Sequence, residues 1–214
     1  MKQIKVHIPS SYLNLSHHFN QPNWLSSVRY FSTEEKLTHV NEVGHAYVVD
    51  ITNKKSTLRT ATAKAIVRIN AQLTKLIKEN CIKKGDVLSL AQIAGIIGAK
   101  KTSEIVPLCH NILLTNVKVM AKLDEAKNTV NIEAIVKCEG QTGVEMEALT
   151  AVSVASLAVY DMCKSVSHDI TIGDIELVNK TGGTKGPYYK PQQFKIRDYE
   201  TAPIDREAVT LGTL

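Results

Sequence analysis

Two runs of alternating residues, separated by a short polar segment, limit this chain more than any other feature. In TNVKVMAKLD, Val117, Val119, Ala121 and Leu123 alternate with polar residues and Met120; in TVNIEAIVKCE, Val130, Ile132, Ala134, Val136 and Cys138 do the same. A period of two puts one set of side chains on one face, so each run predicts a half-buried strand. The EAKN segment between them predicts a hairpin turn. The sheet is therefore antiparallel at this point, and its apolar face needs a cover.

The neighbouring sequence supplies the cover. TATAKAIVRI (60–69) alternates small or apolar residues at 61, 63, 65, 67 and 69, which predicts a further strand. Asn70 is placed to cap AQLTKLIKE, a helix with Leu73, Leu76 and Ile77 on one face. After KKGD, Asp86 is placed to cap VLSLAQIAGIIGAKK, a helix apolar almost all round and so expected to be buried. Pro107 stops any continuation. A helix from about 143 to 166 follows the hairpin, and ITIGDIELV (170–178) reads as a last strand. AYVVDI (46–51) has the β-branched content of one more short strand. Counted from residue 60 the order is β-α-β-β-α-β, with two helices in the first crossover. The expected class is α+β and ferredoxin-like, an antiparallel sheet with helices on one face.

Length and charge narrow the function classes. A chain of 214 residues is enough for one substantial core or two very small ones. No apolar run reads as long enough to span a bilayer, and no membrane association is expected. The net charge of +5 is misleading: residues 1–33 hold no acid and three basic residues, Lys2, Lys5 and Arg29. From Glu34 onward, 23 basic residues face 21 acidic ones, an excess of about +2 that is no footprint for a nucleic acid. Residues 1–36, acid-poor and ending near RYFS, read as a transit segment for the mitochondrial matrix; the alternative is a disordered leader without an address on a cytoplasmic protein. Residues 37–194 are expected to form the catalytic domain and 195–214 a loose tail. Cys81, Cys109, Cys138 and Cys163 are scattered without CxxC, which predicts reduced thiols and gives no support for a zinc site.

The chemistry gathers at a few places. GQTGVEMEALTAVSVASLAVYDMCKS (140–165) carries two glutamates at the mouth of an apolar helix and an Asp/Lys pair at its far end. Thr142 to Glu145 has the form of a capping box, and Glu147 suits the positive end of the helix dipole. Asp161 and Lys164 share a helix face, either as a surface pair or, because the helix around them is small and apolar, as a buried pair with a task. PLCHN (107–111) puts His110 in a turn; KKGD puts two lysines before a helix start that already favours anions. TGGTKG (181–186) has the glycines of an anion-cradling loop but matches no Walker motif.

These motifs together resemble a known family. LTHVNEVGHAYVVDIT, KKGDVLSLAQIAGIIGAKKTSEIVPLCHNILLTNVKV and CEGQTGVEMEALTAVSVASLAVYDMCKSV are similar to the MoaC family, the cyclic pyranopterin monophosphate synthases of molybdenum-cofactor biosynthesis, over about Leu37 to Gly186. The resemblance implies a ferredoxin-like homohexamer, a trimer of dimers with sites at subunit interfaces. It implies a lyase that rearranges a cyclised dihydroguanosine triphosphate, supplied by a radical SAM enzyme, and releases pyrophosphate. Carried over by motif, Lys84 and Lys164 are the catalytic lysines and Asp161 the active-site acid or base. Leu108, Cys109, His110, Met146 and Glu147 contact substrate, and Glu145, Arg59 and Lys180 line the pocket. Lysines crowded by other cations are expected to have lowered pKa values. No tightly bound cofactor is implied, and Mg²⁺ enters only with the substrate phosphates. The terminal loop departs from the family's usual SGGKSG, which moves the loop lysine by one place to Lys185.

Two other classes share the frame. An RNA-binding domain would stack bases on sheet aromatics, yet no Phe, Trp or Tyr lies between Tyr47 and Tyr160. A non-catalytic oligomeric partner of the same pathway would keep the fold without the chemistry; the presence of Lys84, His110, Glu145, Glu147, Asp161 and Lys164 together speaks against it.

Overall fold

A computed structural model describes residues 44–191, all within the unit Thr38–Leu214. The expectations for residues 1–36 and 195–214 lie outside the described residues. The elements are β1 (Thr57–Arg68), α1 (Ala71–Lys78), α2 (Val87–Lys100), α3 (Thr102–Ile105), β2 (Leu114–Asp124), β3 (Thr129–Gly140), α4 (Glu145–Cys163), β4 (Thr171–Thr181) and β5 (Tyr188–Tyr189). They form one sheet in the order β2-β3-β1-β4-β5. Every neighbouring pair is antiparallel. The first four strands have the ferredoxin-like arrangement expected from the β-α-β-β-α-β order.

The alternation pattern fixes the register. Ala61, Ala63, Ala65 and Val67 of β1 point into the core, as do Val130, Ile132, Ala134, Val136 and Cys138 of β3. Ala63 lies opposite Ala134 and Val67 opposite Val130, so the buried sets meet on one face. Ala148, Ala151, Val152, Ala155 and Val159 of α4 cover that face. Both predicted caps form: the Asn70 side chain accepts from the Leu73 N–H, and that of Asp86 from the Leu88 and Ser89 N–H groups.

Helices α2 and α4 approach closely because glycines face the contact. A Cβ on Gly98 would lie 2.8 Å from the Val154 Cβ, and one on Gly95 would lie 2.9 Å from the Ala151 carbonyl. Alanine in a helix interior normally gains about 1 kcal/mol over glycine. At Gly98 the expected result is instead a loss of about 1–3 kcal/mol, because the added methyl meets the stem of a packed valine. Denaturant midpoints for Gly98→Ala check this; a more stable variant would contradict the packing.

Three expectations are corrected. AYVVDI forms no strand: the segment makes only an isolated bridge at Ala46, and its Val49 carbonyl accepts a hydrogen bond from His110 instead of a ladder partner. Helix α2 is not buried all round. Val87, Ala91, Gly95 and Ala99 face inward, but Leu90, Ile93 and Ile97 remain 42%, 55% and 50% exposed, because α4 and β2 cover only one side. Finally, α4 is long and apolar enough to cross a membrane by length and composition. Its position explains that hydropathy, since it is the helix that fills the core.

Candidate active site

The mouth of α4 is not a capping box. The N-cap is Val144, which makes no side-chain cap bond, so Thr142 and Glu145 do not satisfy each other's backbone. Glu145 instead sends its carboxylate to the Lys180 ammonium of β4, 2.9 Å away. Glu147, in the first turn of the helix, is only 4% exposed and has no ion-pair partner among the described residues. Burial raises its carboxyl from the usual 4.5 to about 6; its own backbone N–H opposes that shift, and the Glu145 charge adds to it.

That burial has a stability consequence. The folded chain favours protonated Glu147, so the favourable contribution is present below pH 4.5 and is lost as pH rises through about 6. At neutral pH the ionised group costs about 2 kcal/mol. Glu147→Gln is therefore expected to raise the denaturation midpoint at pH 8 and to change it little at pH 4. Equal effects at both pH values would mean the carboxylate is not strained by burial. A carboxylate kept where it weakens the fold needs another reason to be there.

Arg59 sits beside this mouth. Its side chain is buried, with Nε donating to the Gly140 carbonyl at 3.2 Å and Nη2 to the Gln141 carbonyl at 3.3 Å. The TGGTKG loop lies against it. Gly183 has φ of +88°, and a Cβ there would strike the Arg59 Nη1. The diglycine thus leaves one edge of the guanidinium uncovered toward a cavity lined by Arg59, Lys180, Lys185 and Lys54. No acid lies within ion-pair distance of Arg59, Lys54 or Lys185 among the described residues. This cavity suits a polyanion.

A second cavity of about 440 Å³ adjoins it, with Lys54, Thr142, Gly143, Glu145 and Lys185 common to both. Its walls are Leu108, Cys109 and His110 from the PLCH turn, Met146 and Glu147 from α4, and Val49, Ile51 and Ile112. The turn therefore faces a cleft, as expected. A carbonyl only accepts, so the 2.7 Å contact of His110 with the Val49 carbonyl places a proton on Nε2 and turns Nδ1 away from that bond. Burial, and secondarily Glu147, raises the Cys109 thiol, which is no activated nucleophile. Sequence reasoning missed Lys54 and Gln141. Lys54 is adjacent to an equally basic Lys55, and nothing in the sequence selects one over the other. Gln141 is placed by its 3.2 Å bond to the Thr52 carbonyl, and its own carbonyl accepts from Arg59.

Lys84, Asp161 and Lys164 come together at the other end of α4. Lys84 donates to the Asp161 carboxylate at 2.9 Å and to its carbonyl at 2.7 Å, and Lys164 reaches the carboxylate at 2.7 Å. The expected burial is absent: Asp161 is 58% exposed, because the apolar helix ends there and opens to solvent. Lys164, then Lys84, pull the Asp161 carboxyl down to about 2, and Asp161 raises Lys164 above its usual value. The lowered lysine pKa expected from crowding is thus reversed for Lys164, because a carboxylate separates the two cations. Asp161 lies fourteen positions beyond Glu147 in sequence, about 21 Å at helical rise. Within one chain the two groups cannot touch the same small molecule.

No cluster of three or more His, Cys, Asp or Glu side chains suited to a metal ion occurs among the described residues. The four cysteines are unpaired.

The MoaC family model matches residues 48–183. A cyclic pyranopterin monophosphate synthase of Peptoclostridium acidaminophilum is 50% identical over 153 residues, covering 72% of this chain and 96% of its own. The chain belongs to the MoaC family. A second cyclic pyranopterin monophosphate synthase, from Parvibaculum lavamentivorans, is 52% identical over 154 residues, again 72% of this chain and 96% of its own. Molybdenum cofactor biosynthesis protein 1 of Drosophila melanogaster is 58% identical over 150 residues, or 70% of this chain. The matched part is only 26% of that relative, so this MoaC-family chain spans about a quarter of its length. Both cavities and the Lys84–Asp161–Lys164 cluster are built mainly from residues inside the matched region, with Lys185 just beyond it.

Proposed function

We propose that this chain is a cyclic pyranopterin monophosphate synthase of molybdenum-cofactor biosynthesis, a lyase acting on a cyclised dihydroguanosine triphosphate. The observation that carries the reading is the pair of adjoining cavities at the mouth of α4, one lined by four cations, of which Lys54, Arg59 and Lys185 have no ion-pair partner among the described residues, and one holding a buried carboxylate. The triphosphate lies on Arg59, Lys54, Lys180 and Lys185, where fixed positive charge stabilises the departing pyrophosphate. The base lies among Leu108, Cys109, His110 and Met146, with Glu147 accepting from its guanidine-like edge. Closing the cyclic phosphate forms one P–O bond and breaks another, and the attacking hydroxyl gives up a proton. Ring opening and reclosure need further proton transfers, which Lys84 and Lys164 serve beside Asp161. Mg²⁺ arrives with the phosphates as part of the substrate.

The two lysines belong to a neighbouring copy, since they lie too far from Glu147 in their own chain. A shared site requires at least two copies, and the assembly proposed is the homohexamer, a trimer of dimers, that the family resemblance implies; the uncovered Leu90, Ile93 and Ile97 of α2 are surface that a second copy would cover. The substrate comes from a radical SAM enzyme. Residues 1–36 carry the protein into mitochondria; a reporter fused to them that stays cytosolic would remove that address and leave a cytoplasmic protein.

Incubation of the purified protein with the radical SAM enzyme's product, followed by oxidation to a fluorescent pterin, tests the activity. Product at enzymatic rates is expected. A protein that binds the substrate without turning it over would instead be a non-catalytic partner.

A further inference from the structure

Lys180 enters the cationic cavity already paired. Its ammonium lies 2.9 Å from a Glu145 carboxylate oxygen, with the side chains 30% and 27% exposed, whereas Lys54, Arg59 and Lys185 around the same cavity have no such partner among the described residues. The carboxylate reaches Lys180 by folding back over Gly143, into the volume that a Cβ at 143 would fill. Gly143 does not have a positive φ, so the position uses the missing side chain and not glycine's backbone freedom. The start of α4 leaves Glu145 unused as a cap, and the bare position before it gives the carboxylate room. Both features hold one carboxylate against one lysine.

We propose that Glu145 is a positioning residue that competes with phosphate for Lys180 and thereby sets how readily pyrophosphate leaves. This rests on the cationic cavity being the phosphate half of the site. When the polyanion enters, the Lys180 ammonium turns to phosphate oxygens and the Glu145 carboxylate is solvated at the cavity mouth. When pyrophosphate has formed, the same carboxylate takes the lysine back. Without the competitor, four cations would hold the product. Glu145 need not touch the substrate to act.

Calorimetric titration of pyrophosphate into the full chain separates the cases, with circular dichroism confirming the fold of each variant. Glu145→Gln and Gly143→Ala are each expected to bind pyrophosphate on the order of fivefold more tightly, the worth of a partly exposed ion pair. Gly143→Ala keeps the Glu145 charge and displaces only its position, so a diffuse electrostatic effect would leave that variant like wild type. In a Lys180→Ala background the Glu145→Gln gain should vanish, because the interaction it removes is already gone. Unchanged or weaker binding in both single variants overturns the proposal, as does a full gain without Lys180. A wild-type chain that binds no pyrophosphate overturns the reading of the cavity itself, and the competitor with it.

Discussion

Alanine in place of Lys84 or Lys164 is expected to lower turnover roughly a hundredfold or more while leaving the fold intact. Both lysines are about half exposed and pair with an exposed carboxylate, so neither carries the fold. Their attachments differ. Lys84 is held by two acceptors, the Asp161 carboxylate and a carbonyl near the negative end of α4, whereas Lys164 has only the carboxylate. Lys84 is thus fixed in place, and Lys164 is the freer to carry a proton. Asp161 raises Lys164, so the free chain presents an ammonium there, a donor and not a base. Guanidinium keeps its proton, so Lys164→Arg should stay inactive, while Lys84→Arg should recover part of the rate if Lys84 serves as fixed charge. Pterin-forming assays on the alanine and arginine variants decide this. Near-native turnover in both alanine variants would remove these lysines from the mechanism.

Most of the sheet was legible because its signal is a period of two carried by small and β-branched residues. Ala61 to Val67 and Val130 to Cys138 alternate without a break, and they pair in register. The caps at Asn70 and Asp86 were legible because a single side chain and its local backbone determine them. Several of the failures involve partners distant in sequence. AYVVDI has strand composition, but its Val49 carbonyl is claimed by His110 and the Thr52 carbonyl just beyond it by Gln141, and composition records neither. Thr142 to Glu145 spells a capping box, yet Lys180 outcompetes the backbone for Glu145. The Lys84–Asp161 pair spans 77 positions and could be placed only by a family resemblance. That resemblance named eight of its residues at one end of α4 and three at the other, and the fold alone revealed how far apart the two groups stand.

The separation makes a mixing experiment decisive. Glu147→Gln disables the mouth of α4 and Lys164→Ala disables its far end. If each site draws its mouth from one copy and its lysines from another, both variants are inactive alone. When they are expressed together, a mixed pair of subunits rebuilds one intact site and leaves the other doubly disabled. Random pairing across a two-fold interface then restores about a quarter of wild-type activity. Lys84→Ala mixed with Lys164→Ala provides the control, because both lesions fall in the same half and no arrangement of copies gives a whole site. Restoration in the first mixture and not in the second would require a shared site. Silence in both mixtures, with subunit mixing verified by mass, would confine the chemistry to one chain. The lysines would then have to act on something other than the molecule bound at Glu147, since about 21 Å of helix separates them.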